Sequence, residues 1–440
     1  MNGEPVTAPP TISAASIDVA PLRYADRTLA NGLRAILVPN PRVPSVAINV
    51  AYRVGGKDDP PGRSGFAHLF EHLMFKGTSR TAPETIDRLT EDVGGYNNAF
   101  TSDDITNYYE VVPSNHLERL LWAEADRLAS LTVNEANFAT ERDVVIGEYD
   151  QRILAEPYGM LDELVNREAY TVHPYRRGVI GSPDELNAAS LADVVAFHAT
   201  YYRPDNALLV VAGDLDVDAT FAMIERWFGA IPTPSSPIPR VRAAEPPQTS
   251  ARTYTYRAAN VPLPAVEEAY HIPEAAHPDA AALDVLETLL GAGRSSRLYT
   301  SLVYAKQLAT SAYAAADLRE HPGLFGVRVT CARGVALDDA RAALAVELQR
   351  VRDEPPDEAE IARVRTQIAS MVVRSRQTNT NVALELVRAT TERGDPALVN
   401  GDLARYLAVT ADDVQRVAQT YLRPENCTTV LYLPAGETAA

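Results

Sequence analysis

His68, Glu71 and His72 carry the chemistry that the chain's spacing makes available. On a helix, positions i, i+3 and i+4 share one face, so both imidazoles and the carboxylate point the same way. Two imidazoles one turn apart can take two corners of a zinc tetrahedron. A carboxylate beside them is placed to accept a proton from water that such a metal activates. The pattern reads H-x-x-E-H, the inverted order of the H-E-x-x-H zinc motif. The bland alternative is a helix with two histidines and a solvent-facing glutamate. The metal reading requires a third protein ligand from elsewhere.

The elements that must position these residues are legible in outline. Ser64 suits an N-cap and Gly77 the left-handed position after the last turn, while Leu69, Phe70, Leu73 and Met74 can face a core. Upstream, Leu33 to Val38 and Val46 to Val54 read as two adjacent strands joined by a proline-bearing turn. Thr81 to Val93 reads as a helix with Pro83 near its first turn. Gly94-Gly95 before Tyr96 to Thr101, followed by Ile105 to Val112, predicts a turn and a strand at a sheet edge. That edge is either an ordinary hairpin or a strand whose free backbone groups pair with a peptide, by β-augmentation. His116 to Ala129 and Glu135 to Leu154 have helical periodicity. The second carries Glu141 and Glu148, seven apart and so on one face; solvent exposure is the ordinary explanation for both. Leu161 to Tyr170 and Leu191 to Tyr201 are further helices, and Ala207 to Ala212 is a buried strand.

Composition bounds the rest. A chain of 440 residues allows about two to four domains, and 46% hydrophobic residues supply a large core. A net charge of −17 argues against nucleic acid and anionic membrane as partners. No apolar run approaches the ~18–20 residues of a membrane span. Met1 to Pro21 is polar and proline-containing, without the basic start and apolar stretch of a signal peptide. The chain is therefore cytoplasmic, or exported with its signal removed. Cys331 and Cys427, the two cysteines, allow either a disulfide or two buried thiols and leave the compartment open. His116, His173, His198, His271, His277 and His321 have no mutual ligand spacing and read as structural or surface residues.

The chain repeats itself. Asp193-Val194 and Thr200-Tyr201-Tyr202-Arg203-Pro204-Asp205-Asn206 recur as Asp413-Val414 and Thr420-Tyr421-Leu422-Arg423-Pro424-Glu425-Asn426, half a chain length later. Duplication is the simplest account. A proline-rich stretch between the copies is a stiff, extended linker. The expected division is residues 20–229 as a metal-bearing domain, 230–251 as linker and 252–436 as a homologous domain. Sliding the first motif onto the second copy by matching Gly77 to Gly293 sets His68 on Asp284, Glu71 on Glu287 and His72 on Thr288. The second copy has therefore lost the metal site.

With these residues in hand, the chain resembles the inverted-motif zinc peptidases: pitrilysin, insulysin and the mitochondrial processing peptidase. The resemblance rests on His68-Leu69-Phe70-Glu71-His72, on Gly94-Gly95 with Asn98-Ala99-Phe100-Thr101, on Thr106 to Tyr109, and on Glu141-Arg142-Asp143-Val144-Val145 running to Glu148. It implies an α/β (α+β type) fold of two homologous domains, each a mostly antiparallel sheet with helices packed on it. It implies one zinc ion per chain, held by His68, His72 and Glu148, with Glu71 as catalytic base. It further implies that Glu141 orients a ligand histidine and that Asn98, Ala99 and Phe100 bind substrate main chain. Active relatives carry an arginine and a tyrosine seven apart in a second-domain stretch; here Val303 and Thr310 stand in those places. The expected partner is thus a related two-domain chain that lacks the zinc motif and supplies the Arg/Tyr pair, with unfolded peptide as substrate. The rival reading is a non-catalytic peptide-binding or scaffold subunit that kept the fold. By the same analogy the expected compartment is the periplasm.

Overall fold

A computed structural model of the chain describes residues 19–436. The N-terminal stretch up to residue 18, read above as polar and proline-containing, lies outside the described residues. The first half holds β1 (Ala25–Thr28), β2 (Arg34–Pro39), β3 (Ser45–Tyr52), α1 (Phe66–Leu73), α2 (Thr85–Glu91), β4 (Tyr96–Thr101), β5 (Thr106–Pro113), α3 (Leu117–Ser130), α4 (Glu135–Tyr149), α5 (Gly159–Ala169), α6 (Pro183–Asn187), α7 (Leu191–Tyr201), β6 (Ala207–Gly213) and α8 (Val217–Phe228). The second holds β7 (Arg252–Ala258), β8 (Ala265–His271), α9 (Ala280–Gly291), β9 (Ala309–Asp317), β10 (Leu324–Cys331), α10 (Leu337–Asp353), α11 (Glu358–Ser375), α12 (Asn379–Glu392), α13 (Asp402–Ala408), α14 (Ala411–Tyr421) and β11 (Cys427–Pro434).

The first sheet runs β1-β2-β6-β3-β5-β4 and the second β7-β11-β8-β10-β9. With β1 set aside, the orders are the same. In each, the last strand of the half inserts between the first two and lies parallel to the first, while the remaining pairs are antiparallel. The duplication read from two short blocks is thus a duplication of the whole frame, and both sheets are mostly antiparallel as expected. One expectation fails here. β2 and β3 do not pair, because β6 lies between them. A fully buried run such as Leu208 to Ala212 needs neighbours on both edges and cover on both faces, and only a central place gives it these.

Each sheet carries its own helices on one face. The first packs against α1, α3, α7 and α8, and the second against α9, α10 and α14. The opposite faces are covered by exchange. α12, from the second half, seats Val382, Ala383, Leu386 and Val387 on Ile36, Val38, Leu208, Val210 and Ala212 of the first sheet. In return α5, from the first half, seats Leu161, Leu164 and Val165 on Ala265, Ala269, Val430 and Tyr432 of the second sheet. Residues 230–251 form no helix or strand, and each half borrows a layer from the other.

The turn between β4 and β5 clasps the matching turn between β9 and β10. Lys57 Nζ donates to Asp104 Oδ1 at 2.8 Å and to Glu320 Oε2 at 2.7 Å, and Arg319 pairs with Asp103 at 3.0 Å. Lys57 is buried, and although burial works to lower its pKa, Asp104 and Asp58 outweigh it and raise the ammonium above its usual value. Cys331 and Cys427 are buried on β10 and β11 and form no disulfide.

Candidate metal centre

Burial orients α1. Phe66, Leu69, Phe70 and Leu73 are fully buried against the first core, with Phe70 stacked on Phe197 of α7. The opposite side of the helix is thereby turned towards α4 and β4. The helix start differs from expectation. Gly65 takes a left-handed turn (φ +91°), where a Cβ would lie 2.4 Å from the Ile180 carbonyl. The cap is then Asp59, whose carboxylate accepts from the Gly65 and Ala67 amides at 2.7 and 2.9 Å. Ser64 Oγ instead accepts from the Ser182 amide. Gly77 holds the left-handed exit as expected (φ +87°). α2 begins only at Thr85, because Glu84 takes positive φ and breaks the run after Pro83.

α4 starts at an Asn134 capping box and lies antiparallel to α1, so Glu148 meets His68 while Glu141 meets Lys76. Glu148 Oε2 lies 3.7 Å from His68 Nε2 and 3.3 Å from His72 Nε2. Glu141 is nearly fully buried, with Oε2 3.6 Å from His72 Nδ1 and Oε1 3.0 Å from Lys76 Nζ. At the other end Arg152 Nη1 lies 2.8 Å from Glu148 Oε1. The result is an alternating ladder: Arg152, Glu148, the two histidines, Glu141, Lys76.

These residues fit a zinc ion. Ligands at about 2.1 Å on a tetrahedron stand roughly 3.4 Å apart, and Glu148 Oε2 meets both imidazole Nε2 atoms at about that spacing. One donor atom from each of His68, His72 and Glu148 lies within 4.8 Å of the others, and no other such cluster occurs among the described residues. The histidines set aside on sequence grounds stay outside it. Burial, the neighbouring His72 and Arg152 pull His68 down to about 3, so it is a neutral nitrogen donor. For His72 burial acts downward, but Glu141, Glu148 and Glu71 outweigh it and raise the imidazole. Burial also acts to raise Glu141, yet His72 and Lys76 hold it below the ordinary carboxylate value.

Glu71 shares this face without joining the triad. Its Oε2 accepts the Thr101 hydroxyl at 2.6 Å. Burial raises its carboxyl above the ordinary value, with Thr101 and His72 acting against that. Thr101 ends β4, the strand that carries Asn98, Ala99 and Phe100. Among the described residues β4 pairs only with β5, which leaves its far edge without a strand partner, as the edge-strand reading requires. The Asn98 side chain accepts from the Ala99 amide at 2.8 Å.

Three residues of the ladder and its neighbour were not singled out from sequence. Lys76 is four after His72 and Arg152 four after Glu148, so helical spacing alone could have flagged both. Thr101 has no such local signal; it meets Glu71 only through the tertiary contact of α1 with β4.

The second half is the same frame without the donors. Glu287 accepts from the Ala316 amide of β9 at 2.8 Å, much as Glu71 accepts from β4. Asp284 is bound by Tyr406 at 2.9 Å, and Thr288 by its own helix. Val303 is half-buried in a π-helical turn (Tyr299–Ala305), and Thr310 is exposed on β9. Tyr304 is 76% exposed, and Tyr313 lies under Arg328, which is tied to Glu267 and Asp162.

A duplicated α/β frame whose first copy bears His-x-x-Glu-His and a helix-borne Glu148 defines the inverted-motif zinc peptidase class. The comparisons agree. Residues 34–182 match the family "Insulinase (Peptidase family M16)" and residues 188–368 match "Peptidase M16 inactive domain". The zinc protease PqqE of Helicobacter pylori is 30% identical over 94% of this chain and 93% of its own. A probable mitochondrial-processing peptidase subunit beta of Arabidopsis thaliana is 26% identical over 90% of this chain and 75% of its own. Among solved structures, a protease from Helicobacter pylori superposes with a TM-score of 0.90 at 29% identity, over 93% of this chain and 99% of its own. The chain belongs to the insulinase-type zinc peptidases, peptidase family M16.

Proposed function

We propose that the chain is the zinc-bearing subunit of a metallopeptidase that hydrolyses peptide bonds in unfolded peptides, and that turnover needs a related chain supplying an Arg/Tyr pair. The observation that carries the reading is the convergence of His68, His72 and Glu148 beside a half-buried carboxylate, Glu71, that is not one of the three. Zinc bound there, one per chain, supplies a Lewis acid and brings the pKa of water towards ~7. Glu71 takes the proton of the attacking water and passes it to the leaving amine. One of its oxygens is held by Thr101, and the proton is assigned to the other. The open edge of β4, at Asn98 to Phe100, aligns an extended substrate by main-chain pairing, and an extended segment is what an unfolded peptide offers. The oxyanion calls for a donor on the far side. Neither Val303 nor Thr310 matches the Arg/Tyr pair, and this supports a partner chain.

The test is to measure zinc content and peptide turnover of the purified chain, alone and mixed with a related chain that carries the pair. One zinc per chain, with turnover only in the mixture, is expected. A chain without zinc overturns the metal assignment, and robust turnover by the chain alone overturns the partner. For the compartment we propose the periplasm, by family analogy; fractionation that leaves the chain in the cytoplasm refutes this.

A further inference from the structure

The cationic end of the ladder has a task beyond pairing charge. Glu141 lies almost wholly inside the protein, and its two oxygens are divided: Oε1 to Lys76 Nζ at 3.0 Å, Oε2 towards His72 Nδ1 at 3.6 Å. A carboxylate can otherwise turn about its last bond and offer either oxygen, or both, to one donor. Lys76 follows His72 by four residues, in the bend just past the end of α1 and immediately before the left-handed Gly77. Its backbone amide is bound to Leu73 O, so the base of the side chain is fixed. The ammonium thus meets a different oxygen of Glu141 from the one that faces His72. An Nδ1–H facing Glu141 leaves Nε2 as the bare nitrogen, and Nε2 is the atom that faces Glu148.

We propose that Lys76 is a positioning residue of the metal site: by holding one oxygen of Glu141, it aims the other at His72 Nδ1 and so fixes the ring with Nε2 towards the metal. Lys76 touches neither metal nor substrate. The inference rests on the metal reading given above, and its sign separates it from simple electrostatics. A cation near a dication repels it, so a bystander Lys76 weakens zinc binding and its removal tightens it. A positioning Lys76 does the reverse, because partners that orient metal-ligating histidines are typically worth about 10–100-fold in affinity.

The experiment is a zinc titration of the full metal-free chain against a chromophoric chelator, for wild type, Lys76→Met, Lys76→Arg, Glu141→Gln and Lys76→Met/Glu141→Gln. Circular dichroism and thermal melting check that each variant is folded. The expected result is a Kd at least about tenfold weaker for Lys76→Met, near wild type for Lys76→Arg, and no further loss when Lys76→Met is added to Glu141→Gln. Binding by folded Lys76→Met as tight as wild type, or tighter, overturns the inference. So does an equal Lys76→Met loss in the Glu141→Gln background, which means that Lys76 does not act through Glu141. A wild-type chain that takes up no zinc overturns the metal site itself, and this inference with it.

Discussion

The helix exchange predicts that a core substitution in the second half destabilises the first. Leu386 of α12 is fully buried and packs on the first sheet, against residues of β2, β3 and β6. Leu386→Ala removes that side chain. Burying a leucine contributes about 1.5–3 kcal/mol by transfer alone, and the cavity left behind brings measured losses to about 2–5 kcal/mol. A single helix laid flat on a sheet can settle into part of the gap, which places the cost in the lower half of that range, about 2–3 kcal/mol. Both tryptophans, Trp122 and Trp227, lie on α3 and α8 of the first half. Their fluorescence therefore reports that half, while far-ultraviolet dichroism reports the whole chain. In urea the two probes should give one transition, and Leu386→Ala should shift both midpoints down together. A tryptophan transition that stays at the wild-type midpoint while dichroism loses an earlier, separate phase would refute the exchange as an energetic link.

Three further outcomes follow from named contacts. Glu71→Gln should keep one zinc per chain and lower kcat in the assembled enzyme by at least ~10²-fold, the scale of a lost general base; turnover within tenfold of wild type rejects Glu71 as the base. His173 is buried and neutral, drawn down to about 4 by burial and by the nearby His321. Between pH 6.5 and about 4 the unfolded chain takes a proton that the folded chain refuses, so this group's effect is absent above pH 6.5 and destabilises as pH falls, by up to about 3 kcal/mol. His173→Asn, which can keep an acceptor for the Tyr175 amide, should flatten urea-measured stability against pH across that window, and parallel curves for the two chains would disprove it. Arg127 is buried between Glu124 and Glu110, under the Tyr108 ring. Arg127→Leu strands those carboxyls and should cost about 3–5 kcal/mol; a loss below 1 kcal/mol in denaturant melts would show the cluster to be dispensable.

Several features were legible without coordinates because they are properties of short stretches. The helical repeat alone puts His68, Glu71 and His72 on one face, and puts Glu141 and Glu148 on another. The glycine pair before Tyr96 marks an edge strand, and the two matching Tyr-x-Arg-Pro-x-Asn blocks announce a duplicated frame. Where the reading of α1's start failed, a left-handed glycine handed the cap to Asp59, which lies outside the helix.

Contacts between distant segments belong to the tertiary structure. Periodicity says which residues of α4 share a face, but only its antiparallel packing on α1 decides that this face meets the imidazoles. It is that packing which puts Lys76 and Arg152 at the two ends of one charged ladder. The insertion of β6 between β2 and β3 follows from a buried strand's need for neighbours on both edges. The exchange of α5 and α12 arises in the same way, since each sheet has a second apolar face that its own half does not cover. Local spacing fixes which side chains can act together, and the burial of distant apolar surfaces fixes which of them meet.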